Sequence, residues 1–224
     1  MKIQDNLNRI KSELPKGVRL VAVSKNQPVE IIEEAYNAGQ RIFGESRVQE
    51  MTAKSQLLPS DIVWHFIGHV QRNKIRHMAP YVSVIQGVDS FKSLAEVDRQ
   101  AGRFNRNITC YLQLFIAQEE TKFGFTIEEC TRMLDESEWR NLHNITIGGV
   151  MGMASNTANE EQVLNEFGKL KQIYDLYKEK YFSQEPEFNT ISAGMSGDYH
   201  LAIQSGSNMV RIGSTIFGER DYKQ

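Results

Sequence analysis

A lysine lies at the end of the first apolar run of the chain, where its amine could form a covalent bond to a ligand. Leu20-Val21-Ala22-Val23 has the character of a buried strand, and Ser24 and Lys25 follow it directly. Partial desolvation at such a position lowers the pKa of an ammonium group and supplies the neutral amine that attacks an aldehyde. Because a lone lysine at a strand end more often extends its charge to solvent, Lys25 becomes informative only together with other groups.

Two turns late in the chain are rich in glycine and hydroxyl groups. Ser192-Ala193-Gly194-Met195-Ser196-Gly197-Asp198 follows one apolar run, and Arg211-Ile212-Gly213-Ser214 ends the next. Backbone N–H groups and serine hydroxyls in such turns bind anions, although glycine and serine are also common in ordinary loops. Lys25 and these turns become neighbours if the first and last strands meet. Together they favour one ligand that carries both an aldehyde and a phosphate.

The elements that must position these residues alternate between short apolar runs and amphipathic helical stretches. The apolar runs are Val18–Val23, Arg41–Phe43, Val63–Ile67, Val82–Gln86, Ile108–Phe115, Ile145–Val150, Phe188–Ile191 and Met209–Ile212. Alternation of strands and helices predicts a parallel sheet, since parallel crossovers need a helix. A doubly wound open sheet shows the same alternation, but eight units favour a (β/α)8 TIM-type barrel, in which phosphate often binds after strands seven and eight.

The helical stretches also carry recognisable start signals. They are predicted at Pro28–Ala38, Arg47–Leu58, Gln71–Met78, Ser90–Arg103, Ile127–Glu136, Glu160–Lys180 and Tyr199–Ser205. Ser90 and Thr126 stand where helix N-caps belong. An additional amphipathic helix is predicted ahead of the first strand, because its apolar residues share one face: Ile3, Leu7, Ile10 and Leu14. No linker or change in composition interrupts the pattern, so residues 1–224 are predicted to form a single domain.

Composition is that of an ordinary soluble protein, with 40% hydrophobic residues, 24% charged residues and a formal net charge of −2. This balance gives no reason to expect nucleic acid or a membrane surface as a partner. Cys110 and Cys130 have no metal-ligand spacing and indicate two buried thiols in a reducing compartment. His65 and His69 are four residues apart across a strand end, which does not favour a shared metal ion. We therefore expect a cytoplasmic protein without a metal site.

Six segments resemble those of one known family. VAVSKNQP, IFGESRVQE, WHFIGHVQRNK, GVMGMA, ISAGMSGDYHLAI and VRIGSTIFGERDY occur in the order and spacing of the YggS/PROSC family of pyridoxal phosphate homeostasis proteins, from Leu20 to Tyr222. The resemblance implies a barrel like the N-terminal domain of bacterial alanine racemase. It further implies that the chain binds pyridoxal 5′-phosphate (PLP), buffers it, and supplies it to apo-enzymes, thereby affecting amino-acid and keto-acid balance.

The resemblance assigns the covalent and phosphate contacts to residues already singled out. Lys25 corresponds to the lysine that forms the Schiff base with PLP. Ser192 or Ser196 corresponds to a phosphate-binding residue. Gly213 and Ser214 would complete the phosphate site from the last strand.

The resemblance also assigns residues around the ring of the cofactor. Met151 and Met195 would pack near the ring, and His65 belongs to the motif that lines the barrel mouth. Arg211 would face the pyridine nitrogen. Lys122 is similar to a lysine that some members have at a secondary PLP contact.

Three positions depart from the family pattern. Ser46 stands where the family usually has an asparagine that contacts the cofactor, which would shorten this contact or route it through water. Ala193 replaces a methionine and Val70 replaces a leucine. These departures concern cofactor affinity and ring packing rather than the location of the site.

The residues favour a carrier of PLP over a catalyst. Catalysis by PLP benefits from an acidic partner at the pyridine nitrogen, whereas Arg211 is a permanent cation that opposes protonation there. Racemisation also needs an acid or base on each face of the substrate carbon; related racemases take the second from an additional domain, and this sequence ends at Gln224. A racemase of low activity is the alternative, and a Schiff-base aldolase acting on a sugar phosphate is a third hypothesis. We expect a monomer that contacts apo-enzymes transiently.

Overall fold

Parallel strands closed into a barrel dominate the computed structural model, which describes residues 3–118 and 123–218. Within these residues eight strands pair in chain order, and β1 pairs with both β2 and β8. The strands are β1 (Arg19–Val23), β2 (Ile42–Glu45), β3 (Val63–Phe66), β4 (Val84–Val88), β5 (Ile108–Gln113), β6 (Ile145–Met151), β7 (Thr190–Ser192) and β8 (Met209–Ile212). The predicted (β/α)8 barrel is confirmed, and the doubly wound open sheet is excluded because the sheet has no edge.

Helices surround the barrel. They are α1 (Ile3–Glu13), α2 (Val29–Asn37), α3 (Val48–Leu57), α4 (Arg72–Met78), α5 (Phe91–Arg103), α6 (Ile127–Glu136), α7 (Glu160–Lys180), α8 (Tyr199–Gln204) and α9 (Ser214–Phe217), with a short 3-10 helix at Glu138–Asn141. The predicted N-terminal helix is present as α1, and its buried Asn6 donates a hydrogen bond to the Ile216 carbonyl at 2.9 Å. Helix α1 thereby packs against α9, next to the last strand.

Capping follows the sequence signals. The Ser90 hydroxyl accepts the Ser93 N–H at the start of α5. Thr126 and Glu129 form a reciprocal capping box that begins α6. Pro28, predicted as an early helical residue, instead immediately precedes α2 in extended conformation. Among the described helices, none is long and apolar enough to cross a membrane.

Several strands begin or end at other residues than predicted. Strand β2 extends to Glu45, because Gly44 and Glu45 pair with β3 although neither is apolar. Strand β4 runs from Val84 to Val88 and is buried throughout. Apolar character alone places strand ends poorly where backbone pairing continues through glycine or a charged residue.

The barrel interior contains both apolar and polar side chains. Its apolar cluster consists of Val21, Val84, Tyr111, Met151 and Met209, apart from the larger core between barrel and helices. Buried polar side chains fill the remaining interior: His65, Gln86, Ser192 and Arg211. Because buried polar groups must be hydrogen-bonded, these side chains are fixed to one another between the two ends of the barrel.

Candidate functional site

A cavity of about 220 Å³ opens at the carboxyl ends of the strands. Its lining consists of Val23, Lys25, Ser46, Ile67, Met153, Met195, Ser196, Arg211, Gly213 and Ser214. Seven of the ten residues predicted to bind the cofactor thus lie on one cavity: Lys25, Ser46, Met195, Ser196, Arg211, Gly213 and Ser214. The closure of β1 against β8 brings them together, since the lysine and the last turn are far apart in sequence.

The backbone that follows β1 is held firmly around Lys25. Ser24 donates its N–H to the Gly44 carbonyl at 3.0 Å. Asn26 has φ 61°, a left-handed conformation that asparagine tolerates better than most residues. Its N–H donates to Glu50 Oε1 at 2.6 Å. The lysine therefore sits between two anchored residues, partly buried at the mouth of the barrel.

A buried ion pair beneath this segment escaped the sequence analysis. Lys54 on α3 donates from Nζ to Glu45 Oε1 at 2.8 Å, to Glu50 Oε1 at 2.6 Å and to the Ser24 carbonyl at 2.8 Å. The Ser24 hydroxyl donates to the same Glu45 oxygen at 2.6 Å. Burial raises the pKa of Glu45, and the Lys54 charge opposes that rise. The pair ties β1, β2 and α3 together behind Lys25.

The opposite wall of the cavity comes from the turns after β7 and β8. Ser196 Oγ accepts the Gly213 N–H at 3.2 Å, which joins the two turns. A Cβ atom at Gly213 would lie 3.1 Å from the Val23 carbonyl oxygen, so the close approach of β8 to β1 favours glycine here. Ser196, Gly213 and Ser214 line the cavity on this side, so their hydroxyl and N–H donors lie together on one wall.

Arg211 forms the floor of the cavity and is only 4% exposed. Its Nη1 donates to Ser192 Oγ at 2.8 Å, and its Nη2 donates to the Gly152 carbonyl at 3.0 Å. Burial lowers the pKa of Arg211 to about 10, while Asp198 nearby opposes the shift. The guanidinium therefore stays charged at neutral pH and is held from two sides.

Three predicted contacts lie deeper in the barrel than the cavity. Met151 belongs to the apolar cluster of the interior. Ser192 is fully buried between Arg211 and Gln86, whose Oε1 accepts its hydroxyl at 2.7 Å. His65 borders a separate cavity of about 350 Å³ at the amino ends of the strands. Its Nδ1 accepts a hydrogen bond from Gln86, and burial, with a smaller effect of Arg19, lowers the pKa of His65 to about 3.

Strand periodicity explains which residues take their place at the cavity. Ile67 lies two residues beyond His65, and Met153 lies two residues beyond Met151. Successive residues on one face of a strand are two apart, so each pair shares an orientation one layer apart. The family motifs that suggested His65 and Met151 do not show how deep along the barrel each side chain lies. Lys122, the predicted secondary contact, lies outside the described residues.

The fold and the lysine-bearing cavity define a β/α barrel of the alanine racemase type. The family profile described as "Alanine racemase, N-terminal domain" matches residues 1–221. The structure of alanine racemase from Clostridium difficile 630 superposes with a TM-score of 0.80 at 16% identity, covering 99% of this chain and 58% of that chain. At this identity the likeness concerns the fold alone.

Closer relatives narrow the family. The pyridoxal phosphate homeostasis protein of Vibrio alginolyticus is 37% identical over 235 residues, which cover 98% of each chain. The structure of PipY from Synechococcus elongatus PCC7942 without PLP gives a TM-score of 0.90 at 32% identity, covering 96% of this chain and all of that one. The structure of the same protein with PLP bound gives a TM-score of 0.87. The chain belongs to the family of pyridoxal phosphate homeostasis proteins.

Proposed function

We propose that this protein binds PLP in the cavity at the carboxyl end of the barrel, attached through Lys25, and serves PLP homeostasis by holding and releasing it. One observation carries the proposal: a single cavity has an amine on one wall and a set of hydroxyl and N–H donors on the other. The bound state of PipY, whose solved structure contains PLP, supports it.

The chemistry of the lining fits this ligand. A volume of about 220 Å³ lies below the ~300 Å³ at which typical ligand pockets begin, so the cavity suits one small ring with a phosphate. Ser196, Gly213 and Ser214 offer donors for the phosphate, and the apolar side chains of Ile67 and Met153 offer contact for a ring. The donor set and the apolar walls match the two halves of the cofactor.

Bound PLP supplies an aldehyde that reacts reversibly with amines and a ring that withdraws electrons. Lys25 would hold the aldehyde carbon through its Nζ. Arg211 would place a full positive charge on the floor of the cavity and oppose protonation of a ring nitrogen facing it. The residues therefore favour reversible attachment and weaken the electron sink.

The same lining supports storage over turnover. Of the described residues that line the cavity, Lys25 and Arg211 are the ionisable ones. Racemisation needs a proton donor or acceptor on each face of the substrate carbon, and an arginine that stays charged is a poor base. We therefore propose a carrier that acts without catalytic turnover.

The attachment is tested by absorbance and trapping. Purified protein reconstituted with PLP should show a band near ~420 nm, the region of a protonated PLP imine, and borohydride should fix PLP to Lys25 in a peptide map. Lys25→Ala should lack both signals, whereas Lys92→Ala, an exposed control on α5, should retain them. Absence of the band from the parent protein, with no PLP bound, would refute the proposal.

The carrier role is tested by transfer and exchange. PLP loaded on the protein should pass to an apo-aminotransferase and restore its activity in stoichiometric amounts. Exchange of the alanine α-proton in deuterated water should not exceed that of free PLP. Sustained exchange that Lys25→Ala abolishes would instead favour a racemase.

The setting proposed for this function is the cytoplasm, with the chain acting as a one-domain monomer that meets apo-enzymes transiently. Cys110 and Cys130 are both buried and unpaired with each other, which suits a reducing compartment. Light scattering during gel filtration should give the mass of one chain with and without PLP.

A further inference from the structure

A continuous line of buried polar side chains crosses the barrel interior. It runs from Arg211 on the floor of the cofactor cavity through Ser192 and Gln86 to His65. The heavy-atom distances are 2.8, 2.7 and 2.8 Å. Each of these four side chains is at most 4% exposed, so the three hydrogen bonds form away from bulk water.

The donors along this line all point the same way. Arg211 can only donate, so Ser192 Oγ accepts a hydrogen bond from Nη1. The Ser192 O–H in turn donates a hydrogen bond to Gln86 Oε1. The Gln86 amide is then fixed, with Nε2 donating to His65 Nδ1 at 2.8 Å and to Met209 Sδ at 3.5 Å. His65 must therefore be neutral at Nδ1 and carry its proton on Nε2, toward the cavity at the amino ends of the strands.

We propose that Gln86, held by His65, is a positioning residue that fixes Arg211 against the cofactor. The guanidinium has two anchors, the Gly152 carbonyl and Ser192 Oγ. A hydrogen bond to the Gly152 carbonyl alone would let the guanidinium rotate about the last bonds of the side chain. The second hydrogen bond, to Ser192 Oγ, restrains that rotation. An acceptor for the Ser192 hydroxyl turns its proton away from Arg211 and leaves an oxygen lone pair facing Nη1, and Gln86 is that acceptor.

The expected effect on PLP binding rests on the proposed PLP site, whereas the hydrogen bonds from Arg211 to His65 do not depend on it. A low local dielectric strengthens hydrogen bonds that follow one another in one direction. The line therefore holds Arg211 in one place whether or not the cavity contains a ligand. Arg211 would therefore present its charge to bound PLP from a fixed position.

The experiment compares two buried glutamines. Gln86→Leu removes the acceptor of Ser192 and the donor to His65. Gln40→Leu is the matched control, because Gln40 is likewise buried, at 4% exposed against 0% for Gln86, and donates to the Leu20 and Ile42 carbonyls at 3.0 and 2.8 Å, away from Arg211. Gln86→Glu is the conservative variant that keeps the acceptor for Ser192.

The first readout uses the protein without PLP. In nitrogen-15 NMR spectra, the Nη signals of Arg211, assigned by their loss in Arg211→Lys, should be separate in the parent protein and in Gln40→Leu because rotation is restrained. They should merge in Gln86→Leu and stay separate in Gln86→Glu. The ring of His65 should carry its proton on Nε2 in the parent protein and on Nδ1 in Gln86→Glu.

The second readout is the bound cofactor. Gln86→Leu should weaken PLP binding about tenfold, the equivalent of one lost hydrogen bond, and shift the absorbance band, while Gln40→Leu should do neither. If Gln86→Leu fails to fold, Ser192→Ala breaks the same line, and it should likewise free Arg211. Unchanged Arg211 signals in the broken line, or an equal effect of Gln40→Leu, would overturn the inference. Failure of the parent protein to bind PLP would refute the proposed function instead.

Discussion

Replacing Lys54 by methionine would leave a buried carboxylate without its cation. Glu45 is fully buried, and Lys54 is 5% exposed, so solvent cannot compensate for the loss. Breaking a buried pair from one side typically destabilises a protein by about 3–5 kcal/mol. For a chain of this size each kcal/mol corresponds to roughly 2–4 °C in the melting temperature. We therefore expect Lys54→Met to lower the free energy of unfolding by about 3–5 kcal/mol at pH 7.

The loss should depend on pH with a definite sign. Burial already raises the pKa of Glu45, and removal of the Lys54 charge raises it further. In the folded variant Glu45 then keeps its proton at a pH where the unfolded chain, with a glutamate pKa of about 4.3, has released it. The stability of the variant therefore falls as the pH rises from about 4.3 to the pKa of Glu45 in the folded state. Lowering the pH from 7 to 5 should therefore bring Lys54→Met closer to the parent protein.

Urea denaturation at pH 5 and pH 7, followed by circular dichroism, measures both effects. The double variant Glu45→Gln/Lys54→Met should regain most of the stability, because no buried charge remains. Lys180→Met is the matched control, since Lys180 pairs with Asp135 at the same 2.8 Å but both side chains are about half exposed, and its denaturation midpoint should barely move. Equal midpoints for Lys54→Met and Lys180→Met, with no dependence on pH, would refute the reasoning.

Three other perturbations follow from the described contacts. Gly149→Ala should destabilise the barrel severely, because the φ of Gly149 is +151° and a Cβ would lie 2.0 Å from the Thr190 carbonyl oxygen. Gly168 on α7 has open space around it, so Gly168→Ala should raise the free energy of unfolding by roughly 0.5–1 kcal/mol. Thermal denaturation compares the two variants. Burial raises the pKa of both cysteine thiols, that of Cys130 to about 12, so a thiol reagent should label them in urea but not in the native protein. Ser46→Asn should tighten PLP binding several-fold in a fluorescence titration, because the longer amide reaches farther into the cavity; weaker binding would mean that serine suits this chain better.

The residues around the mouth of the barrel were predictable from the sequence, whereas the depth of each side chain inside the barrel was not. Lys25 and the turns around Ser196 and Gly213 were recognisable because strand ends in a barrel converge, and strand order follows from alternation. His65 and Ser192 were assigned to the cofactor, yet their side chains lie one layer below the cavity. Apolar runs and motifs show which strand carries a side chain, but they do not show how deep along the barrel axis that side chain lies.

The buried polar groups were the least predictable part. Glu45 and Lys54 are nine residues apart, and nothing in their spacing distinguishes them from surface charges on a strand end and a helix. Gln86 reads as an ordinary polar residue that ends an apolar run. Gln86 meets His65, Ser192 and Met209 only when distant strands assemble into the barrel, which local periodicity cannot reveal.

Closure of β1 against β8 also determines when a growing chain can first hold a ligand. The amine wall of the cavity is synthesised near the beginning, whereas Gly213 and Ser214 are synthesised near the end. A nascent chain on the ribosome therefore contains Lys25 long before Gly213 and Ser214 exist. Binding of PLP with full affinity would therefore report that β1 and β8 have paired. Bound PLP would in turn stabilise the pairing of these two strands.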